Sequence, residues 1–195
     1  VKVTLGLPVY DTYKAETVAS ILMGLREFPH DIAFAMFKGG YIDSSRETAM
    51  RYAIENGSDK LLFIDSDMIF PPDAMVKLVA HSKTIIGAAY NEKKLGPDGK
   101  RLSTVKLDDG KGGYFTGNAN MPDAPFMCAA VATGFLALYV PVIRERMQPP
   151  YFEYDRQEKG RAGEDTFFCQ KARSVGLEVW CDPTLGVRHM GDFAY

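Results

Sequence analysis

LLFIDSDMIF, Leu61 to Phe70, runs four apolar residues into Asp65 and Asp67 and then turns apolar again. Lys60 to Ile64 reads as a buried strand with two carboxylates at its carboxyl end. Two carboxylates flanking one residue there can converge on a hard divalent cation, and a cation so held would neutralise a diphosphate. The competing reading is that Asp65 or Asp67 merely caps the loop. The surrounding sequence bears on the choice.

Upstream, Val1 to Val9 has the β-branched alternation of a first strand, ending in a loop at Tyr10 and Asp11. Val18, Ile21, Leu22 and Leu25 then fall at helical spacing, with Pro29 as the exit. Ile32 to Phe37 reads as a second strand stopped by Gly39 and Gly40, and Ser44 with Glu47 has the form of a capping box for a helix carrying Met50, Ala53 and Ile54. Downstream, Pro71 and Pro72 precede a helix with Met75, Val76 and Val79 inward, and Thr84 to Ala89 returns as a fourth strand. Strand and helix alternate through residue 90, which predicts an α/β fold with a mostly parallel central sheet flanked by helices. Ligands of such sheets gather at the carboxyl ends of the strands, where Asp65 and Asp67 lie.

Beyond Tyr90 the pattern changes. Leu95 to Asn120 is rich in Gly, Lys and Asp, which predicts a hairpin and a mobile loop. Phe126 to Val140 reads as a central strand broken at Thr133 and Gly134; Glu164 to Val175 reads as a helix stopped by Gly176, and Glu178 to Cys181 as a last strand. The 195 residues suit one domain with one sizeable core, and no internal repeat or linker divides them. With 25 acidic against 23 basic side chains, no global charge argues for a nucleic-acid coat. Cys128, Cys169 and Cys181 are widely spaced among apolar residues, as reduced core thiols in a cytoplasmic setting would be. No apolar run reaches the roughly 18 residues of a membrane span, so a soluble protein is expected.

Absences narrow the chemistry. There is no Gly-x-x-x-x-Gly-Lys-Ser/Thr loop and no Gly-x-Gly-x-x-Gly after a strand, which argues against P-loop and dinucleotide enzymes. A haloacid-dehalogenase-type phosphatase carries Asp-x-Asp after its first strand with Thr two residues later; here the pair follows the third strand and the residue is Ile69. A second acidic pair, Glu164 and Asp165, opens the amphipathic helix, either as simple N-terminal capping or as a base kept ionised by the helix dipole. His189, in VRHMG, follows the last strand, where an imidazole could be a core or surface residue or a third metal ligand favouring Mn²⁺ over Mg²⁺.

LLFIDSDMIFPPDAM, TGFLALYVPVI, AGEDTFFCQKARSVGLEVWCDP and VRHMG, in that order, resemble the nucleotide-sugar glycosyltransferases of GT-A fold close to family 2, particularly the short stand-alone type of phage and microbial genomes. The resemblance covers almost the whole chain and implies a single 1–195 domain, with 1–90 binding nucleotide and 91–195 binding acceptor. It implies a metal, Mn²⁺ or Mg²⁺, held by Asp67 and His189, with Asp65 on ribose, metal or both, and a nucleotide-sugar donor with UDP-sugar favoured. It further implies base contacts from Pro8, Tyr10 and Asp11, a nucleotide contact from Arg46, and a close approach to the donor sugar at Thr133 and Gly134. In inverting members the second acidic residue is the general base, here Asp165, with Glu164 as an acceptor or sugar contact. Stereochemistry is open, since retaining members share the metal geometry.

Two departures from the family stand out. MFKGGYID lacks the acidic pair that many members place at the end of the second strand, and Gln-x-x-Arg-Trp is absent, which argues against a processive synthase. Lys93, Lys94, Lys100, Arg101, Lys106 and Lys111 fall in the stretch where the fold puts acceptor-binding elements. They are either a solvated loop or a phosphate-tracking rim for an acceptor such as a hydroxymethylated DNA base; a glycan, protein or small-molecule hydroxyl is equally open. The alternatives to transfer are a sugar-phosphate nucleotidyltransferase, for which LGLPVYDTYK is a poor match to the expected Gly-rich loop, and a binding module that has lost catalysis.

Overall fold

Alternation of side chains across buried strands divides the apolar residues between two cores, one on each face of a central sheet, in this computed structural model. The structure describes residues 1–38, 40–95, 99, 101–110, 114–116, 121–154 and 163–191. In chain order these form β1 (Lys2–Val9), α1 (Ala15–Arg26), β2 (Asp31–Lys38), α2 (Ile42–Glu55), β3 (Lys60–Ile64), β4 (Met68–Ile69), α3 (Ala74–Ala80) and β5 (Ile85–Ala88). There follow β6 (Asn91–Leu95), β7 (Arg101–Ser103), β8 (Lys106–Asp108), β9 (Tyr114–Thr116), β10 (Phe126–Cys128), β11 (Phe135–Tyr139), α4 (Val140–Arg146), α5 (Glu164–Ser174), β12 (Val179–Asp182) and β13 (Arg188–His189).

A 7-stranded sheet has the order β10-β12-β5-β11-β3-β1-β2. β1 pairs parallel with β2 and β3, and β5 with β12, while β11 runs antiparallel between β3 and β5 and β10 antiparallel beside β12. The sheet is therefore mostly parallel, as the strand-helix alternation predicts. β3 shows why its sequence is an unbroken apolar run: Leu61 and Phe63 enter the core under α2, α4 and α5, and Leu62 and Ile64 enter the core under α1 and α3. Each such side chain contributes roughly 1.5–3 kcal/mol by leaving water.

Several elements differ from expectation. In α1 the buried face is Thr17, Ser20, Ile21 and Gly24, while Val18 and Leu22 are exposed. Small residues face inward because the helix lies against Met75; a Cβ on Gly24 would stand 2.6 Å from its sulfur. α2 begins at Ile42, so Ser44 and Glu47 lie inside the helix and form no capping box. Glu47 Oε2 instead accepts the backbone N–H groups of Tyr151 and Phe152.

The strand expected over Phe126–Val140 with a break at Thr133 and Gly134 forms two strands, β10 and β11, on opposite sides of β5 and β12, and Val140 opens a helix with Pro near its start. The expected hairpin region holds two, β6 with β7 and β8 with β9. Gly39 and most of the expected mobile loop lie outside the described residues. Cys128, Cys169 and Cys181 are free and buried, and burial pushes the Cys181 thiol up to about 12. Among the described residues no helix is long and apolar enough to cross a membrane.

Candidate active site

β1, β3 and β5 end on the same edge of the sheet, and the residues that follow each of them line one site. After β3, Asp65 and Asp67 diverge instead of meeting at a point. Asp65 turns into the protein, where Arg46 Nη2 donates to its Oδ1 and Oδ2 at 2.9 and 3.0 Å. Asp67 turns the other way, toward a two-stranded ribbon of β4 and β13 that pairs Met68 with His189. Met190 N–H closes the ribbon on the Asp67 carbonyl at 2.7 Å. His189 Nε2 consequently lies 3.3 Å from Asp67 Oδ1, and the Lys93 ammonium, from β6, bonds Oδ2. Burial alone would raise the Asp67 carboxyl, but hydrogen bonds from His189 and Lys93, with their charges, bring it below its ordinary value.

Arg46, on α2, is 2% exposed. Besides Asp65, its Nε donates to Glu164 Oε1 at 3.2 Å and its Nη1 to the Thr133 carbonyl at 3.3 Å. Burial lowers its affinity for a proton, but the charges of Asp65 and Glu164 outweigh that and hold the guanidinium more firmly protonated than usual. Arg46 thus faces the chain's own carboxylates, and both Asp65 oxygens accept from it.

Glu164 is 8% exposed and points at Arg46 and at the Tyr154 hydroxyl. Burial raises its carboxyl pKa and Arg46 partly offsets this. Burial, followed by the Glu164 charge, pushes the Tyr154 phenol up to about 12.

Asp165 sits in the first turn of α5 and is only partly buried. Its Oδ1 accepts from Thr166 N–H at 2.6 Å and from Thr166 Oγ1 at 3.2 Å, and Lys106 Nζ donates to that same hydroxyl at 2.6 Å. Lys106 thereby leaves the Thr166 proton directed at Asp165. With Lys93 on Asp67 and Lys106 on Thr166, these two do not form an outward basic rim; Lys100 and Lys111, and the side chains of Lys94 and Arg101, lie outside the described residues.

Tyr90, after β5, joins the two halves of the site. It is 7% exposed, its Oη accepts the Gly134 N–H at 3.0 Å, and its ring meets His189 edge-on at 5.5 Å. Burial raises its phenol pKa well above the usual value, and the charges of Asp65 and Asp165 add to this. Gly134 is required by closeness: a Cβ there would stand 2.4 Å from Tyr90 Oη and 3.0 Å from Asp65 Oδ2. Thr133 is buried and contributes its carbonyl rather than its hydroxyl. Tyr13 Oη is buried without a hydrogen-bond partner among the described residues, and burial together with the Asp65 charge raises its pKa.

At the end of β1, Pro8 is buried in the sheet, while Tyr10 and Asp11 are exposed. A cavity of about 230 Å³ opens there, lined by Val9, Tyr10, Gly40, Tyr41, Ser45 and Tyr154. It offers flat aromatic walls and one aliphatic hydroxyl. Two larger clefts, of about 390 and 560 Å³, lie at Met121–Asp123 with Thr184 and at the β10 edge around Arg173; neither is lined by Asp65, Asp67, Asp165 or His189.

Sequence reasoning passed over Tyr13 and the contacts that Tyr90, Lys93 and Lys106 make inside the site. Tyr90 had a usable signal, since the residue just past the carboxyl end of a parallel strand is where ligands gather.

Solved structures supply the comparison for this arrangement. A197 from STIV superimposes with a TM-score of 0.66, over 98% of this chain and 87% of that one, at 15% identity. A protein from Desulfovibrio desulfuricans G20, provisionally assigned as a nucleotide-diphospho-sugar transferase, superimposes with a TM-score of 0.51 over 93% of this chain and 79% of that one, also at 15% identity. The inositol-1-phosphate CTP transferase from T. maritima aligns at a TM-score of only 0.41 and 12% identity, over 93% of this chain and 88% of that one, too loosely to bear on the reading. No family model and no curated protein sequence matches the chain. At these identities the likeness is one of fold: the chain shares with the first two structures a mixed α/β architecture, here a mostly parallel central sheet flanked by helices.

Proposed function

We propose that this protein is a metal-dependent glycosyltransferase that moves one sugar from a nucleotide sugar to an acceptor hydroxyl, with residues 1–195 acting as one domain. The observation that carries the reading is the 3.3 Å separation of Asp67 Oδ1 and His189 Nε2 at the ligand-binding edge of the sheet. Two donors in one octahedral sphere at about 2.0–2.1 Å from a cation lie about 3 Å apart, so this pair fits Mn²⁺ or Mg²⁺. The bound cation would neutralise charge on the departing diphosphate. Two protein donors leave the remaining positions to diphosphate oxygens and water, which is how such cations are usually held.

The chain's own residues do the rest. The cavity beside Tyr10 and Tyr41 suits a base held by stacking, with Ser45 to hydrogen-bond its edge; UDP is the favoured nucleotide. Asp165 takes the proton of the acceptor hydroxyl as that oxygen bonds the anomeric carbon and the bond from carbon to the diphosphate oxygen breaks, with inversion. Thr166 holds the Asp165 carboxylate in place through its N–H and its hydroxyl, and Lys106 orients that hydroxyl by donating to it. General-base help of this kind contributes about 10²–10⁴-fold. The acceptor is a hydroxyl compound that reaches Asp165; the engaged ammonium groups of Lys93 and Lys106 give no support to a DNA-tracking rim.

The test is a thermal-shift screen of UDP-, GDP-, CDP- and dTDP-sugars with and without Mn²⁺, followed by product analysis on hydroxyl acceptors. One sugar nucleotide should stabilise the protein only with metal, and Asp67→Ala should abolish the metal-dependent part. No response to any nucleotide, or an equal response without metal, overturns the reading.

A further inference from the structure

We infer that Lys93 is an exchangeable counter-ion: its ammonium holds Asp67 until a divalent cation displaces it, and it then pairs with the diphosphate of the incoming donor. The inference rests on the proposed donor class for its second half only; its first half concerns Asp67, Lys93 and a cation.

Both oxygens of Asp67 are engaged by the chain itself, Oδ1 facing His189 Nε2 and Oδ2 bonded by Lys93 Nζ. A cation ligated by His189 and Asp67 must therefore compete with a positive charge already on the carboxylate. Two unit charges sharing one carboxylate repel, so the ammonium withdraws when the metal binds. Lys93 can withdraw without breaking the fold: its side chain is 44% exposed, and among the described residues β6 pairs with the short strand β7 in a sheet separate from the central one. Asp67, by contrast, is anchored by the β4–β13 ribbon through the Met190 N–H on its carbonyl.

The energetic consequence is a coupling between metal and donor. Metal alone must break the Lys93–Asp67 pair and leave the ammonium to water. When a diphosphate accompanies it, the released ammonium gains a new anion, and the loss is recovered. Lys93 therefore weakens binding of free cation and strengthens the mutual dependence of cation and diphosphate, which by linkage is reciprocal. Lysine suits the role because its ammonium is a compact point charge on a flexible stem, able to swing between two anions.

The experiment compares wild type, Lys93→Met and Lys93→Arg by calorimetric titration with Mn²⁺ alone, and by titration with UDP at zero and saturating Mn²⁺. Lys93→Met should bind free Mn²⁺ about fivefold more tightly, the scale of a partly exposed ion pair, and should lose most of the dependence of UDP affinity on Mn²⁺. Lys93→Arg should resemble wild type in the Mn²⁺ titration. A second measurement separates exchange from a general field effect: acylation of Lys93, followed by mass spectrometry, should speed up on adding Mn²⁺ and slow again on adding Mn²⁺ with UDP. Equal Mn²⁺ affinity in wild type and Lys93→Met, or Lys93 labelling indifferent to Mn²⁺, overturns the exchange. If UDP binds no variant while free Mn²⁺ still tightens on Lys93→Met, the donor assignment fails and the competition for Asp67 stands.

Discussion

Replacing Arg46 by Met is the sharpest probe of how the site is built. The guanidinium, with a side chain 3% exposed, is shared between Asp65 and Glu164, whose side chains are 26% and 10% exposed. Methionine keeps most of the volume and removes all five donors, leaving two carboxylates and the Thr133 carbonyl without their partner. Breaking a buried ion pair from one side costs about 3–5 kcal/mol. A domain of this kind has about 5–15 kcal/mol in all. Urea unfolding of wild type and Arg46→Met, followed by circular dichroism at pH 8 and at pH 5, reads the loss directly. Glu164 gives the pH signature. Burial already lifts its carboxyl above the ordinary value, and removing Arg46 takes away the main opposing influence. A group whose folded pKa is raised stabilises below its unfolded pKa and loses that contribution as pH rises through the folded value. The deficit of Arg46→Met should therefore be largest at pH 8 and shrink toward pH 5, and adding Glu164→Gln should recover part of it at pH 8. A deficit under about 1 kcal/mol, or one equal at both pH values, would refute a buried charge network centred on Arg46.

Three further outcomes are expected. Asp165→Asn should retain donor binding by calorimetry while transfer falls about 10²–10⁴-fold; a near-wild-type rate would remove Asp165 as the base. Gly134→Ala forces Tyr90 and Asp65 aside, an overpacking worth about 1–3 kcal/mol in thermal unfolding, and Tyr90→Phe added to it should restore part of the loss by removing the hydroxyl that the new methyl meets. Asp182, held below the ordinary carboxyl range by Thr184 and His81 against the opposing effect of burial, contributes stability above its unfolded pKa that disappears as pH falls through its folded value. Asp182→Asn should accordingly cost about 1–2 kcal/mol at pH 7, and the difference from wild type should vanish at the acid end of a pH series of unfolding curves.

The sheet was readable because β1, β3 and β5 carry strong period or burial signals and because the helices between them end on Pro29 and Gly57. What escaped was decided by packing that no local pattern encodes. α1 buries Thr17 and Gly24, the latter against a close approach of Met75, and apolar spacing at Val18 and Leu22 points the wrong way. Ser44 and Glu47 have capping-box spacing, but Glu47 is claimed by Tyr151 and Phe152, more than a hundred residues on. At the site, residue types and order pointed to Asp67, Asp165 and His189, of which the structure brings Asp67 and His189 within 3.3 Å; the pairing of Arg46 with Asp65 and Glu164 was invisible, because a pair separated by 118 residues leaves no periodic trace.

That pairing also explains why the two acidic motifs occur together. Asp65 follows β3 and Glu164 opens α5, and Arg46 from α2 contacts both, while also holding the carbonyl before Gly134. The carboxylates proposed for chemistry, Asp67 and Asp165, are in each motif the neighbours of those that Arg46 binds, two residues on in one case and one in the other. Residues 65–67 leave β3 in a turn, where Asp65 is held by Arg46 and Asp67 lies toward His189. At the start of α5, Glu164 is held by Arg46 while Asp165 bonds Thr166. Each motif is then a pair with divided labour: one carboxylate binds a buried guanidinium, and the other is the one proposed to meet ligand. On this argument Asp65→Asn and Glu164→Gln should each impair the partner motif through Arg46, so their effects on transfer should fall well short of additive in a double-mutant cycle. Strict additivity would show that the two halves of the site are set independently.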